Sequence, residues 1–127
     1  MSPEVREALL RAPARFTHRL VVAPDDVDAA GFVFFARICS FFDRAYVELR
    51  KQSGGTPEAL RATRVVSTEA DFLRPLRAGD AVEVAIVTSS RAEERTTLGF
   101  RVTAGTTAAA IGHVVYAGSS PIELPTT

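Results

Sequence analysis

One long apolar helix limits what this chain can fold into, and it is predicted in the second half of residues 25–51. Apolar side chains recur there at three- and four-residue steps, which places them on one helix face: Phe35, Ile38, Phe42, Ala45 and Leu49. Phe34 and Phe41 widen this face, so charged residues occupy only a narrow opposite strip. A helix with so broad an apolar surface is expected to be wrapped by other elements rather than laid on a surface.

An acidic loop of small residues leads into this helix and ends at Gly31. Glycine lets the backbone turn or approach a ligand closely, and the start of the following helix presents unpaired amides and partial positive charge. A carboxylate beside free amide donors suits an active site, with Asp28 as nucleophile or base and the amides stabilising an oxyanion. The structural alternative is that Asp28 only bonds a nearby amide in a turn. Asp26 is expected to support the loop.

Size and composition narrow the classes of protein. The 127 residues suit a single domain, 1–127, with its core at about 16–117. Fifteen basic residues cancel fifteen acidic ones, so charge favours neither nucleic acid nor a membrane as partner. A single cysteine, no signal-like N-terminus and no apolar run long enough for a membrane span lead us to expect a cytoplasmic protein.

Outside the long helix, most of the chain has the period of strands. A short helix at 3–11 begins at a Ser2 cap, and a first strand precedes the acidic loop. Alternating apolar residues predict five strands in all, at 16–23, 63–73, 81–89, 96–103 and 107–117. A polar link is predicted at 90–95 and a loose tail from Gly118. Short links favour antiparallel neighbours, so the predicted class is α+β, and exposed sheet edges favour a homodimer.

Two blocks of sequence identify a family. The first has residues 26–35, Asp-Val-Asp-Ala-Ala-Gly-Phe-Val-Phe-Phe, followed by residues 41–45, Phe-Phe-Asp-Arg-Ala. The second is residues 71–80, Asp-Phe-Leu-Arg-Pro-Leu-Arg-Ala-Gly-Asp. In this order they resemble the blocks of the hotdog-fold acyl-CoA thioesterases, specifically the 4-hydroxybenzoyl-CoA thioesterase family. Within the family, these segments look most like the aryl-CoA members, which include the 1,4-dihydroxy-2-naphthoyl-CoA thioesterases.

The resemblance implies a five-stranded antiparallel sheet wrapped around one long helix, with dimers joined edge to edge and often paired into tetramers. It implies hydrolysis of an acyl-CoA with an aromatic or bulky acyl group, without a metal or other cofactor. Asp28 matches the catalytic carboxylate, the backbone amide of Phe35 would polarise the thioester carbonyl, and Gly31 completes the catalytic loop. Substrate would lie at the dimer interface, contacted by residues of the loop, helix, second strand and third link: Phe32, Arg37, Ser67, Thr68, Arg91 and Arg95.

Two departures from the family pattern bear on the substrate. Many relatives have His or Tyr at the position of Phe35 and Asn at that of Arg37. A backbone donor survives the first change, whereas a side-chain role is lost. The alternatives are a thioesterase acting on an acyl-carrier protein and a non-catalytic acyl-CoA-binding module. A further alternative places the catalytic carboxylate on the helix itself, as in another branch of the hotdog fold. A hotdog dehydratase is disfavoured because no histidine lies between residues 19 and 112.

Overall fold

The structure, a computed structural model, describes residues 1–118 and 121–125. In chain order its elements are α1 (Pro3–Arg11), β1 (Phe16–Val21), a 3-10 helix (Pro24–Asp26), α2 (Phe35–Gln52), α3 (Pro57–Arg61), β2 (Arg64–Phe72), β3 (Ala81–Ala92), β4 (Arg95–Ala104) and β5 (Thr107–Ala117). Among the residues described, no helix is both long enough and apolar enough to cross a membrane.

The five strands form one antiparallel sheet in the order β1-β3-β4-β5-β2, which makes β1 and β2 the edge strands. The 18-residue helix α2 packs on the inner face, where Phe42 stacks on Phe100 with ring centroids 4.8 Å apart. Gly112 permits this approach, because a Cβ there would lie 2.8 Å from the Phe42 ring. The predicted long helix and antiparallel sheet are confirmed.

Helix α1 covers the outer face of the sheet. Leu9 is buried against Ala85, Val87 and Ile111 in a second, smaller apolar cluster. The Arg101 guanidinium donates to the carbonyl oxygens of Leu9 (2.9 Å) and Ala12 (2.8 Å), which holds the C-terminal end of α1 to the sheet. Helix α1 therefore occupies the outer face of the sheet. The surfaces left for a site are the inner face, the ends of α2 and the edge at β2.

Three predicted boundaries were wrong. The first strand ends at Val21, and β3 continues to Ala92, so the link to β4 contains only residues 93–94. The polar residues at the end of β3 remain in the strand because their backbone pairs with β4 while their side chains face solvent. The tail is not wholly loose: Ile122 is 6% exposed and joins the main core. The remainder of the predicted tail, residues 119–120 and 126–127, lies outside the described residues.

Candidate active site

The Asp28 carboxylate is fixed by its own loop at one oxygen. Its Oδ1 atom accepts hydrogen bonds from the backbone amides of Ala30 (2.9 Å) and Phe32 (3.2 Å). The Asp28 amide donates to the Phe32 carbonyl (2.8 Å), and Gly31 donates to the Asp28 carbonyl (3.0 Å). Gly31 has φ 89°, a conformation that favours glycine. The loop therefore makes the bonds expected of a turn aspartate and leaves Oδ2 without a hydrogen-bond donor among the residues described.

Helix α2 begins beside this loop with an unpaired amide. Phe34 caps the helix without a side-chain bond, and its own amide donates to the Asp26 carbonyl (2.9 Å). Phe35 is the first helical residue, and no group in the described part of the chain accepts a hydrogen bond from its amide. The first turn holds no acidic residue, so the partial positive charge of the helix start is not neutralised within the helix. This end of α2 can therefore bind developing negative charge.

Asp26 holds the loop in place. It is buried, and its Oδ2 atom accepts a hydrogen bond from the Ala23 amide (2.9 Å). Its Oδ1 atom lies 3.8 Å from Arg37 Nε, which connects the loop to the first turn of α2. These contacts suit the supporting role predicted for Asp26. They also show that the charge of Arg37, which remains a proposed substrate contact, is partly matched within the protein.

An apolar cavity of about 340 Å³ lies between the start of α2 and the end of β2. Three aromatic side chains, Phe32, Phe35 and Phe72, line it together with aliphatic residues. Phe35 is 61% and Phe72 54% exposed, and their ring centroids lie 6.3 Å apart. The sequence pattern placed Phe35 on the packed face of the helix; instead its ring faces the cavity. This arrangement suits an apolar group held against the helix start.

Phe72, which was not predicted as a site residue from the sequence, lines this cavity together with Arg74. Both belong to the second family block, which served as a marker of the fold. The signal available in the sequence was an aromatic residue near the end of a predicted strand. It becomes informative only when the sheet register places that strand beside α2.

Within the described residues, four of the predicted substrate contacts neither line the cavity nor form a hydrogen bond with the Asp28 loop. On β2, Ser67 shares the outer face with Glu69 and Asp71, whereas the Thr68 hydroxyl points inward, 3.9 Å from Cys39 Sγ on α2. Arg95 pairs with Ala117, while the cavity residue Phe72 pairs with Ala110. Seven residues of β5 separate these positions, or roughly 23 Å. Phe32 and Arg37 are the predicted contacts that do lie at the Asp28 site.

Arg91 differs from its predicted setting. It lies within β3 rather than in a link, and its guanidinium donates to the Thr96 hydroxyl (2.8 Å) and the Gly118 carbonyl (2.9 Å). These bonds fasten the β3–β4 hairpin to the end of β5. The neighbouring Arg95 is exposed, and no acidic side chain in the described residues pairs with it. Of the two arginines, Arg95 is the better placed to contact a ligand.

A carboxylate on α2 was the alternative catalytic group, and Asp43 is the residue whose setting suits it. Burial raises the pKa of the Asp43 carboxyl, and no described residue forms a hydrogen bond or ion pair with it. The nearby Tyr116 hydroxyl is buried without a hydrogen-bond partner in the described chain, and its ring stacks on Tyr46 at 4.2 Å. Burial and then the charge of Asp43 raise the pKa of Tyr116.

This arrangement predicts a pH-dependent effect of Asp43→Asn. A raised folded-state pKa means that the ionised carboxylate disfavours the folded state once the pH exceeds its ordinary value of 3.8. We expect the variant to be more stable at neutral pH, by less than about 1 kcal/mol because the group is partly exposed. Near pH 3 the two proteins should have the same Tm. The measurement is thermal unfolding of both proteins at the two pH values. If the variant and the wild type had equal Tm values at neutral pH as well as near pH 3, the raised pKa of Asp43 would be contradicted.

Residues suited to metal binding are dispersed. Within the described ranges, no group of three or more His, Cys, Asp or Glu side chains is arranged to hold a metal ion. The two histidines lie on β1 and β5, and His113 faces Glu69 at 3.5 Å on the outer side of the sheet.

Comparison with known proteins gives matches to thioesterases. The sequence profile described as "Thioesterase superfamily" matches residues 30–111, a range that includes the start of α2 and begins just after Asp28. A curated relative, the 1,4-dihydroxy-2-naphthoyl-CoA hydrolase of Nostoc punctiforme, is 30% identical over 95 residues. The match covers 69% of this chain, and the chain spans about 63% of that relative's length.

Solved structures share the fold. A 1,4-dihydroxy-2-naphthoyl-CoA thioesterase from Synechocystis superposes with a TM-score of 0.76 at 20% identity, covering 85% of this chain and 89% of that one. A thioesterase from Thermus thermophilus, complexed with coenzyme A and Zn, superposes with a TM-score of 0.74 at 26% identity, covering 91% and 92%. The predicted hotdog fold is confirmed.

Proposed function

This chain belongs to the thioesterase superfamily, and we propose that it hydrolyses an acyl-CoA with an aromatic or bulky acyl group to the free acid and CoA. The observation that carries the proposal is the position of Asp28, whose carboxylate is fixed at Oδ1 on the loop that leads into α2, where the Phe35 amide is unpaired within the described chain. The thioester carbonyl oxygen would accept a hydrogen bond from that amide, and the carbonyl carbon would face Asp28 Oδ2.

Two reaction routes suit this geometry. In the first, Asp28 Oδ2 attacks the carbonyl carbon, the C–S bond breaks, and CoA leaves as the thiol after protonation. Water then cleaves the mixed anhydride to release the acid and restore the carboxylate. In the second, Asp28 takes a proton from water as the water oxygen attacks the carbonyl. Rapid quenching followed by mass spectrometry of the intact protein separates them, because only the first adds the acyl mass to Asp28.

The cavity supports an aromatic or bulky acyl group. Its walls are aromatic and aliphatic, and they include Phe35, whose amide would bind the carbonyl. The Nostoc and Synechocystis proteins are both described as acting on 1,4-dihydroxy-2-naphthoyl-CoA, a bicyclic aromatic thioester. The coenzyme A bound to the Thermus protein supports CoA as the carrier.

We also propose that two copies of the chain pair along β2. The strand is at the sheet edge, and its Val65 (50% exposed) and Phe72 (54% exposed) offer apolar area for a second copy. In an antiparallel pair related by a twofold axis, the first residues of one β2 lie beside the last residues of the other. Arg95, at the opposite end of the sheet from Phe72 in its own protomer, would then approach the partner's Asp28 site and contact CoA phosphate.

Shared sites predict complementation between two impaired variants. Asp28→Asn removes the carboxylate and Arg95→Met removes the phosphate contact, yet a mixed dimer holds one complete site. After unfolding and refolding an equal mixture, we expect about a quarter of wild-type activity at low substrate concentration, because half of the dimers are mixed. Each variant refolded alone is the control. Activity no higher than the mean of the two controls would exclude Arg95 from the partner's site.

The proposed reaction is tested with a panel of thioesters: benzoyl-, 4-hydroxybenzoyl-, 1,4-dihydroxy-2-naphthoyl-, phenylacetyl- and medium-chain acyl-CoA. Release of free thiol is followed for each. Selective turnover of the aryl thioesters would support the proposal. Equal turnover of the aliphatic members would remove the aryl preference, and no turnover with saturable acyl-CoA binding would indicate a binding module. No turnover and no binding would direct the search to acyl-carrier proteins.

A further inference from the structure

Arg74 places a positive charge at the wall of the apolar cavity. Its backbone is held at the end of β2, because the amides of Leu73 and Arg74 both donate to the Ala109 carbonyl, at 2.8 and 3.1 Å. The Arg74 side chain is exposed, and no carboxylate in the described residues pairs with its guanidinium. A cation at the edge of an apolar cavity is a group that orients a ligand and selects among ligands.

The charges around Arg74 do not neutralise it. Arg77 lies on the same segment, with its Cζ 4.9 Å from the centroid of the Phe32 ring. Asp80 accepts a hydrogen bond from the Arg77 backbone amide, not from its guanidinium. The nearest acid along β2, Asp71, pairs with Arg6 on the outer face of the sheet (2.7 Å). Arg74 therefore lines the cavity itself, whereas Arg77 and the Asp28 loop both adjoin its wall at Phe32.

These observations carry an inference about the acyl group, which rests on the proposed thioesterase function. We propose that the cavity binds an acyl group bearing a carboxylate at its far end and that Arg74 pairs with this carboxylate. The substrate class would then be the mono-CoA thioesters of dicarboxylic acids. An acyl carboxylate near the thioester would be repelled by Asp28, so the charge must lie beyond the apolar part of the group.

CoA phosphate is the other anion that arginine binds readily. The location of Arg74 favours the acyl group, because the residue lines an apolar cavity that also contains Phe35, where the carbonyl is expected. Arg74 and Arg95 are both exposed, but Arg95 does not line this cavity, and the phosphate contact is proposed for Arg95. An arginine at the edge of an apolar cavity favours an acyl group that offers it a carboxylate over a neutral group of the same shape.

The test compares 4-carboxybenzoyl thioesters with their neutral isosteres, 4-carbamoylbenzoyl thioesters. Each acyl group is supplied on CoA and on N-acetylcysteamine, which lacks phosphate. We expect the wild type to favour the carboxylate by about tenfold in kcat/KM on both carriers. In Arg74→Met this ratio should approach one, and Arg74→Lys should retain part of it. Arg19→Met, which removes an exposed charge on β1, is the matched control and should keep the wild-type ratio.

The outcomes distinguish a carboxylate on the acyl group from a CoA phosphate as the anion that Arg74 binds. A loss in Arg74→Met confined to CoA thioesters and equal for both acyl groups would assign Arg74 to phosphate and overturn the inference. A wild-type ratio near one, with benzoyl-CoA hydrolysed in an Asp28-dependent manner, would overturn the inference and leave the proposed function standing. Absence of hydrolysis on every thioester would overturn both. Circular dichroism and Tm establish that each variant is folded, and Arg74→Lys keeps the test informative if Arg74→Met is not.

Discussion

Asp28→Asn should lower kcat about a thousandfold while changing KM little. The carboxylate is needed only as the carbonyl carbon is attacked, either as the attacking group or as the base that activates water. An amide oxygen is neither a useful nucleophile nor a base at neutral pH. The loop should survive the change, because the Asn side-chain oxygen can accept the same bonds from Ala30 and Phe32. The measurement is the rate of thiol release under saturating substrate, with Tm as the check on folding.

A neighbouring acid provides the matched control for this prediction. Asp25 is exposed on the same loop, and Asp25→Asn removes the same charge without touching the Asp28 turn. We expect its kcat to remain close to that of the wild type. A folded Asp28→Asn protein with near-normal kcat would show that another group performs the chemistry. Asp43 on α2 would then be the next residue to replace, because no cation among the described residues pairs with its carboxyl and burial raises its pKa.

The arrangement of α2 and the sheet was predictable because each follows from local sequence. The three- and four-residue spacing from Ile38 to Leu49 specifies a helix with one buried face, and those residues are buried. Alternation in β4 and β5 likewise specifies strands whose bounds differ by little from the prediction. The Asp28 loop was also found from its acidic residues and Gly31. These features depend on neighbours in the chain.

The cavity was not predictable in the same way. It joins residues near the start of α2 to residues at the end of β2, about forty positions later, and their proximity depends on which strand pairs with β5. Phe35 illustrates the difficulty. Its spacing matches that of Phe42 and Leu49, yet it is 61% exposed and lines the cavity, whereas Phe42 and Leu49 lie in the main core. Helical periodicity identifies an apolar face but not whether protein, ligand or a second copy covers it.

Phe35→Pro should lower kcat about a hundredfold or more, because it removes the amide that would bind the oxyanion. Proline is well suited to the first helical position, where its fixed φ matches the helix and the lost N–H had no intrahelical acceptor. The preceding residue also permits it: Phe34 has φ −64° and ψ 131°, an extended conformation that residues before proline adopt. Helix α2 should therefore form, which far-ultraviolet circular dichroism would verify.

The effect of the lost ring must be separated from that of the lost amide. Phe35→Ala removes the same aromatic side chain and keeps the N–H, so it should weaken binding of aromatic acyl groups and raise KM with a smaller change in kcat. The ratio of kcat between the Ala and Pro variants then reports the amide alone. If the two variants turned over at the same rate, the Phe35 amide would not stabilise the transition state. In that case the positive charge at the start of α2 would act on the substrate through its field or through the Ala36 amide.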